Sequence, residues 1–345
     1  MPTSSTRLAP KKSTQKILRG LNDRARDVLT ERFGLSNEDQ KTLEAIGTRY
    51  GITRERVRQI ERLALETVRK SKAFTEESDL YKNLENILVD FGGIVHEDEL
   101  LASLSKDKIT QNHFHFHLVL ANDTFTKHKD DAHFKSRWHI DEKVANHVHD
   151  ALHALHEKFS HEHLVSEAEI IEHFIGELHD DIAHHAKSSD VLRRWLQLSK
   201  KLAKNPLGEW GRSDSSNIKV RGVKDYAYLI MRKHGSPMHF REVAKEISST
   251  FGRKTHMATC HNELIKDPRF VLVGRGMYAL KEWGYRGGVV RDVIRDIIER
   301  EGPLVKEEIV DRVLKERYLK KNTVLVNLQN PKYFKKLSDG RYTVA

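Results

Sequence analysis

A single cysteine, Cys260, in 345 residues removes three kinds of chemistry at once. No internal disulfide can form, no paired-cysteine zinc knuckle is possible, and no iron–sulfur cluster has its ligands. Long apolar runs are missing as well: none approaches the ~18 residues of a membrane span, and the start, MPTSSTRLAPKKSTQ, lacks the apolar core of a secretory signal. The chain is therefore expected in the cytoplasm, with the nucleoid, and without a membrane partner. Catalytic signatures are absent too. There is no phosphate-cradling loop, no nucleophile elbow and no nuclease-like carboxylate cluster. Gly274-Arg275-Gly276 is too short for a dinucleotide fingerprint and reads as a hairpin turn. Serines and histidines are plentiful, but no spacing ties them into a triad. Asp180 and Asp181 beside His184 and His185 read as an exposed helix end. No enzymatic activity and no cofactor are expected.

What the chain has is positive charge, and the charge is concentrated. The net charge is +10, and residues 1 to 72 hold 17 Lys and Arg against 9 Asp and Glu, so +8 of the excess lies there. A localised basic segment on a soluble, highly charged chain points to nucleic acid as the acidic partner.

Within that segment runs TLEAIGTRYGITRERVRQIERLALETVRKS, Thr42 to Ser71. A short helix is expected over Thr42 to Tyr50, Gly51 supplies the positive φ of a tight turn, and Thr53 caps a second helix opening with Arg54, Glu55 and Arg56. At about 100° per residue, Val57, Ile60, Ala64 and Val68 share one side of that helix, while Glu55, Arg58, Gln59 and Arg62 lie opposite. The pattern is a helix-turn-helix. Its outward residues suit the major groove, because Arg pairs bidentately with guanine, Gln with adenine, and Glu accepts from the cytosine amino group. Arg54 and Arg56 are placed for bases or phosphates. A merely solvated charged face is the plain alternative.

ITRERVRQIERLALETVRK, with LNDRARDVLTERFGL before it, resembles region 4 of the sigma-70 family of bacterial transcription factors, over residues 21–72. The resemblance implies that Arg54, Glu55, Arg58 and Gln59 face the bases of a −35 promoter element, with Arg56 and Arg62 near phosphates. It also implies a hydrophobic pocket that docks on the β flap of the RNA polymerase core, for which Val28, Leu29 and Phe33 are the candidates. Residues 1–20 are expected to be a disordered basic tail, and the helix-turn-helix domain to span 21–74.

From Leu80 onward one plan recurs four times: helix, small turn, acidic-capped helix, third helix, then an aromatic-rich pair of strands. Three helices followed by a hairpin is the pattern of a winged helix. The expected limits are 78–141, 143–220 (rich in histidine), 221–285 and 287–345. In the third copy, SPMHFREVAKEI and DPRFVLVGRGMYALKEW resemble the HARE-HTH winged helix, over 221–284. That domain occurs in the delta subunit of certain bacterial RNA polymerases and in some chromatin and restriction proteins. The acidic tail of delta is not matched here, so the resemblance implies association with polymerase and not delta's displacement of nucleic acid.

Seventeen of the 21 histidines lie between His96 and His185. His149, His153 and His156 share a helix face at a spacing that can hold zinc or nickel, yet no carboxylate joins them in an HExxH arrangement; a polar helix surface is the expected role, and no metal site is assigned. This segment is expected to gain charge below pH ~6.5 and so to bind nucleic acid more tightly in acid. Arg193, Arg194, Lys200, Lys201 and Lys204 around Trp195 fit either a recognition helix or a core tryptophan with solvated charges, and Lys315, Arg317, Lys320 and Lys321 raise the same question.

The sequence thus predicts a mostly α protein, a sigma region 4-like helix-turn-helix followed by tandem winged helices, each of three helices plus a β-hairpin. Its expected role is a promoter-reading transcription regulator that binds double-stranded DNA and contacts RNA polymerase without being a complete sigma factor. The competing readings are a polymerase accessory subunit whose helices are docking surfaces and, more remotely, a restriction-type enzyme.

Overall fold

A computed structural model describes residues 8–186, 188–285 and 288–345. The chain packs as two compact units, one of residues 1–203 with 210–213 and one of 204–209 with 214–345.

The first unit opens with a helix where a mobile tail was expected. Helix α1 (Pro10–Leu18) starts on a proline, whose missing N–H costs nothing at that position, and buries Pro10, Ser13, Thr14, Ile17 and Leu18. Ser13 and Thr14 make this stripe look polar in sequence. Thr14 is satisfied in the interior by His113 Nδ1 at 2.9 Å and His117 Nε2 at 3.1 Å, so the polar helix face packs after all. The expectation of disorder is corrected for Pro10–Leu18; residues 1–7 lie outside the described residues.

Helices α2 (Asp23–Phe33), α3 (Leu43–Tyr50) and α4 (Arg54–Arg69) follow, each capped by a side chain: Asn22 accepts from Ala25 N, Thr42 from Ala45 N and Thr53 from Arg56 N. A single turn, α5 (Lys72–Thr75), leads into the repeats.

Four times the order helix, strand, helix, helix, two strands recurs. The first is α6 (Ser78–Asp90), β1 (Ile94–His96), α7 (Glu97–Leu104), α8 (Lys108–Leu120), β2 (Thr126–His128) and β3 (Arg137–His139), with β3 central in an antiparallel sheet of order β1-β3-β2. The second has α9 (Glu142–Lys158), α10 (Glu167–Ile175), α11 (Ser189–Leu198) and the pair β4 (Leu202–Lys204) and β5 (Trp210–Arg212), with Val165 bridged to Trp210 in place of a full first strand. In the third, α12 (Val223–His234), β6 (Met238–His239), α13 (Phe240–Phe251), α14 (Met257–Lys266), β7 (Phe270–Gly274) and β8 (Met277–Leu280) give a sheet of order β6-β8-β7. The fourth has α15 (Val290–Glu301), α16 (Lys306–Glu316), α17 (Lys321–Leu328), β9 (Phe334–Lys336) and β10 (Tyr342–Val344), with Leu304 bridged to Tyr342. These are winged helices. The strand or bridge between the first two helices, which closes the wing onto the helices, was not foreseen; it is only one to three residues long and carries no alternation that sequence could show.

Each repeat keeps its own apolar centre. Trp138 with Leu84, Leu88 and Phe114 fills the first, and Trp195 with Val148, Leu152 and Phe174 the second. Ile294, Ile297, Ile309 and Val313 fill the last. The third is additionally locked by Arg269, whose Nη2 donates to Asp225 at 2.9 Å and Asp267 at 2.8 Å, both carboxylates being buried. Burial alone would raise the Asp267 carboxyl, but the hydrogen bonds from Arg269 outweigh it and hold it below its ordinary value.

Candidate nucleic-acid interface

The turn between α3 and α4 is set by backbone limits. Gly51 has φ 63°, as the sequence suggested. Gly47 is needed for a different reason: a Cβ there would lie 2.7 Å from the carbonyl oxygen of Ile52, so the chain leaving the turn passes directly over the glycine. Val57, Ala64 and Val68 of α4 are buried, and Val57 meets Val28 and Ile46 in a small core. Arg54, Glu55, Arg56, Arg58, Gln59 and Arg62 are all exposed, on the side away from that core.

In the free protein these polar groups hold one another. Glu55 accepts from Arg58 Nε at 2.8 Å and Nη2 at 2.7 Å. Arg56 Nη1 donates to Gln59 Oε1 at 3.1 Å, and Arg62 lies 3.6 Å from Glu66. The hydrogen bonds from Arg58 keep the Glu55 carboxyl below its ordinary range, so it is an acceptor at neutral pH. All these pairs sit in water, where such contacts are weak and easily exchanged for a base or phosphate. One residue was missed in the sequence. Leu63, between the two faces, is 52% exposed and extends the outward row one turn beyond Gln59, where an apolar side chain can meet a thymine methyl. A solvent-facing leucine among arginines was the available signal.

The residues expected to form a polymerase-docking pocket are not open. Val28 and Leu29 are completely buried and Phe33 is 5% exposed. Val28 belongs to the core under α4, while Leu29 and Phe33 pack into a cluster with Phe116 and Leu120 of α8. The Phe33 and Phe116 rings meet edge to face, 5.1 Å apart. Around them α8 is fastened by polar contacts: Asn112 Nδ2 donates to Gly34 O at 3.0 Å and Glu38 O at 3.2 Å, and Arg69 donates to the carbonyls of Val119 and Leu120. The pocket expectation is corrected, since the first winged helix of the chain covers that face.

The same packing takes α8 out of consideration as a DNA reader. Asn112, His113, Phe116 and His117 are all buried. In the second repeat Trp195 is fully buried, Arg193 pairs with Glu167 and Asp190, and Arg194 pairs with Glu99 at 2.8 Å over the ring of Phe91. Core tryptophan with paired charges is the outcome there. The third repeat differs: α14 is open, but its outward side is Met257, Thr259, Asn262 and Ile265, with arginine only in the flanking loop and at the wing tip, Arg253 and Arg275. In the fourth, Lys320, Lys321, Lys335 and Lys336 are exposed, whereas Arg317 is buried and donates to the carbonyls of Leu272 and Gly288.

The histidines do not act as an acid-charged surface. Burial pushes His117 down to about 4 and, with Lys127 adding repulsion, His115 down to about 4; burial and then Arg137 push His149 to about 3. His96, His113, His139 and His153 are also lowered, first by burial. These rings are interior groups that stay neutral while the chain is folded, so the expected gain of charge near pH 6.5 does not apply to them. The side chains of Asp181 and His184, singled out in the sequence, lie outside the described residues.

Comparison with known proteins agrees with this geometry in two places. Residues 17–70 match the family described as "Sigma-70, region 4", and residues 221–283 match HARE-HTH, the helix-turn-helix domain described as shared with ASXL and restriction endonuclease proteins. The RNA polymerase sigma factor SigA of Nostoc sp. (strain PCC 7120 / SAG 25.82 / UTEX 2576) is 51% identical over 55 residues, 16% of this chain and 14% of that protein. The chain thus spans about one seventh of the length of the curated relative it matches. It carries a sigma-70 region 4 helix-turn-helix near its amino end and a HARE-HTH winged helix in its second half, two domains of DNA-binding type.

Proposed function

We propose that this protein is a transcription regulator that reads a −35-like promoter element through α4 and works in contact with RNA polymerase, without being a complete sigma factor. The observation that carries the reading is the exposed row Arg54, Glu55, Arg58 and Gln59 on a helix held out by a tight turn. Every one of these side chains has a base edge it can pair with. Arg56 and Arg62 supply phosphate contacts, and Leu63 adds an apolar one. Recognition is non-covalent. In this reading 21–74 is the DNA-reading domain, and 78–141, 143–220, 221–285 and 287–345 are winged-helix domains. Polymerase contact falls to surfaces other than Val28, Leu29 and Phe33, which are covered.

The test is selection of bound duplexes from a random library by the full-length protein and by a variant with Arg54, Glu55, Arg58 and Gln59 changed to Ala. An enriched −35-like motif that the variant loses is the expected result. No enrichment in either case would sink the reading.

A second reading has its own observation. The open side of α14 presents Met257 at 54% and Ile265 at 62% exposure and no arginine, which suits a protein surface better than a major groove. In that reading the chain is a polymerase accessory subunit, and its DNA affinity follows salt alone, with no loss on changing bases.

A further inference from the structure

Where β2 and β3 of the first winged helix meet the start of α9, three metal-ligating side chains converge. His128 and His139 end their strands. The register pairs His128 with Arg137 and Thr126 with His139, so the two histidines are diagonal neighbours on one face of the ladder. Their rings lie stacked, with centroids 4.7 Å apart. Glu142, three residues after His139, is the first residue of α9, where the Asp141 cap turns the chain back towards the sheet. Its carboxylate meets both rings: Oε2 is 3.2 Å from His139 Nε2, and Oε1 is 3.7 Å from His128 Nε2.

We propose that His128, His139 and Glu142 bind one divalent transition-metal ion of the zinc class, joining the hairpin of the first winged helix to the first helix of the second. Four features of the site support this. The three ligand atoms all lie within 4.8 Å of one another. Zinc bonds of about 2.0–2.2 Å at tetrahedral angles separate ligand atoms by roughly 3.3 Å, so side-chain adjustment within rotamer wells closes the site. Both Nε2 atoms are buried and neither makes a hydrogen bond, although His139 is only 2% exposed. A buried imidazole nitrogen without a partner is costly, and a metal ion removes that cost. Burial and mutual repulsion hold His139 neutral at physiological pH, the state in which imidazole donates a lone pair. Glu142 is exposed, which opens a path for the ion and leaves room for water as a fourth ligand.

The neighbouring groups define the limits of the site. His149 stands edge-on to His128 at 5.7 Å, but its Nε2 accepts from Arg137 Nε at 2.6 Å and is not free to ligate. The Arg137 guanidinium is itself held by Asp131 at 3.1 Å. The ligands are therefore two strand histidines and one helix carboxylate, and not the helical series His149, His153 and His156.

The experiment uses the full chain, stripped with EDTA and titrated with Zn²⁺ against a chromophoric chelator, and repeated with His139→Gln, Glu142→Gln and the control His153→Gln. One tight zinc per chain is expected. Affinity should fall at least about thirtyfold in His139→Gln and Glu142→Gln, as for loss of a direct ligand, and stay within about threefold in the control. Co²⁺ should give visible ligand-field absorption in the wild type and lose it in both ligand variants. Glu142 is exposed, so Glu142→Gln keeps the test intact if His139→Gln does not fold. Several weak zinc ions bound alike by all four proteins, or wild-type affinity no better than Glu142→Gln, would overturn the proposal.

Discussion

Replacing Phe116 by alanine tests whether the helix-turn-helix and the first winged helix form one body. Phe116 is fully buried, stands edge to face with Phe33, and lies in a cluster that also contains Ile17, Leu29 and Leu120. The cavity left by Phe→Ala in such a site costs about 3–5 kcal/mol, including the lost aromatic contact. For a cooperative unit of this size each kcal/mol lowers the melting midpoint by about 2–4 °C, so the first transition should drop by roughly 6–20 °C. The assay is differential scanning calorimetry of wild type, Phe116→Ala, Phe33→Ala and the double variant. Because the two rings share one cavity, the double variant should lose clearly less than the two singles added. A drop below about 2 °C in Phe116→Ala, or additive losses, would refute the shared core. So would a wild-type helix-turn-helix that melts by itself.

Acid should loosen the same unit. His117 titrates near 4 and His149 near 3 in the folded chain, against about 6.5 when unfolded, so below pH 6.5 the unfolded chain takes up protons that the folded chain refuses. Stability is complete above pH ~6.5 and should fall by about 2 kcal/mol per histidine by pH 5, read as a falling melting midpoint; a flat profile would contradict the burial argument. Gly47→Ala places a Cβ against the Ile52 carbonyl and should cost about 1–3 kcal/mol while displacing α4, measured by urea unfolding beside DNA binding. Arg62→Ala should shrink the salt slope of DNA binding by about 0.9 with sequence preference retained. Leu63→Ser should weaken binding only to duplexes with thymine at the position it meets, so an equal loss on all duplexes would remove Leu63 from the reading face.

The parts of the fold that could be read from sequence are those fixed locally. Thr42, Gly51 and Thr53 set the helix limits of the helix-turn-helix through caps and a turn that involve only their own neighbours. The exposed row on α4 followed from periodicity alone, and the third wing from turn residues between β-rich flanks. The features that sequence concealed are long-range. Helix α1 looked disordered because its buried Ser13 and Thr14 are polar, and the groups that satisfy Thr14 lie about a hundred residues away on α8. Leu29 and Phe33 looked like a free pocket because nothing near them in sequence reveals Phe116. The histidines were judged by helical spacing along α9, whereas the group that converges combines a cross-strand diagonal with a helix start. Periodicity describes one element at a time and does not say which faces meet.

That α8 covers Leu29 and Phe33 changes how any other protein could use the same face. The cover is tethered to the surface it occupies, so it competes at a fixed high local concentration that dilution never lowers. A partner for this face binds only the fraction of molecules in which α8 has lifted. If the contact is worth about 4 kcal/mol, that fraction is about one in a thousand, and the apparent affinity of the partner is weaker by the same factor. Access to this face is therefore governed by the strength of an intramolecular seam and not by the shape of the pocket beneath it.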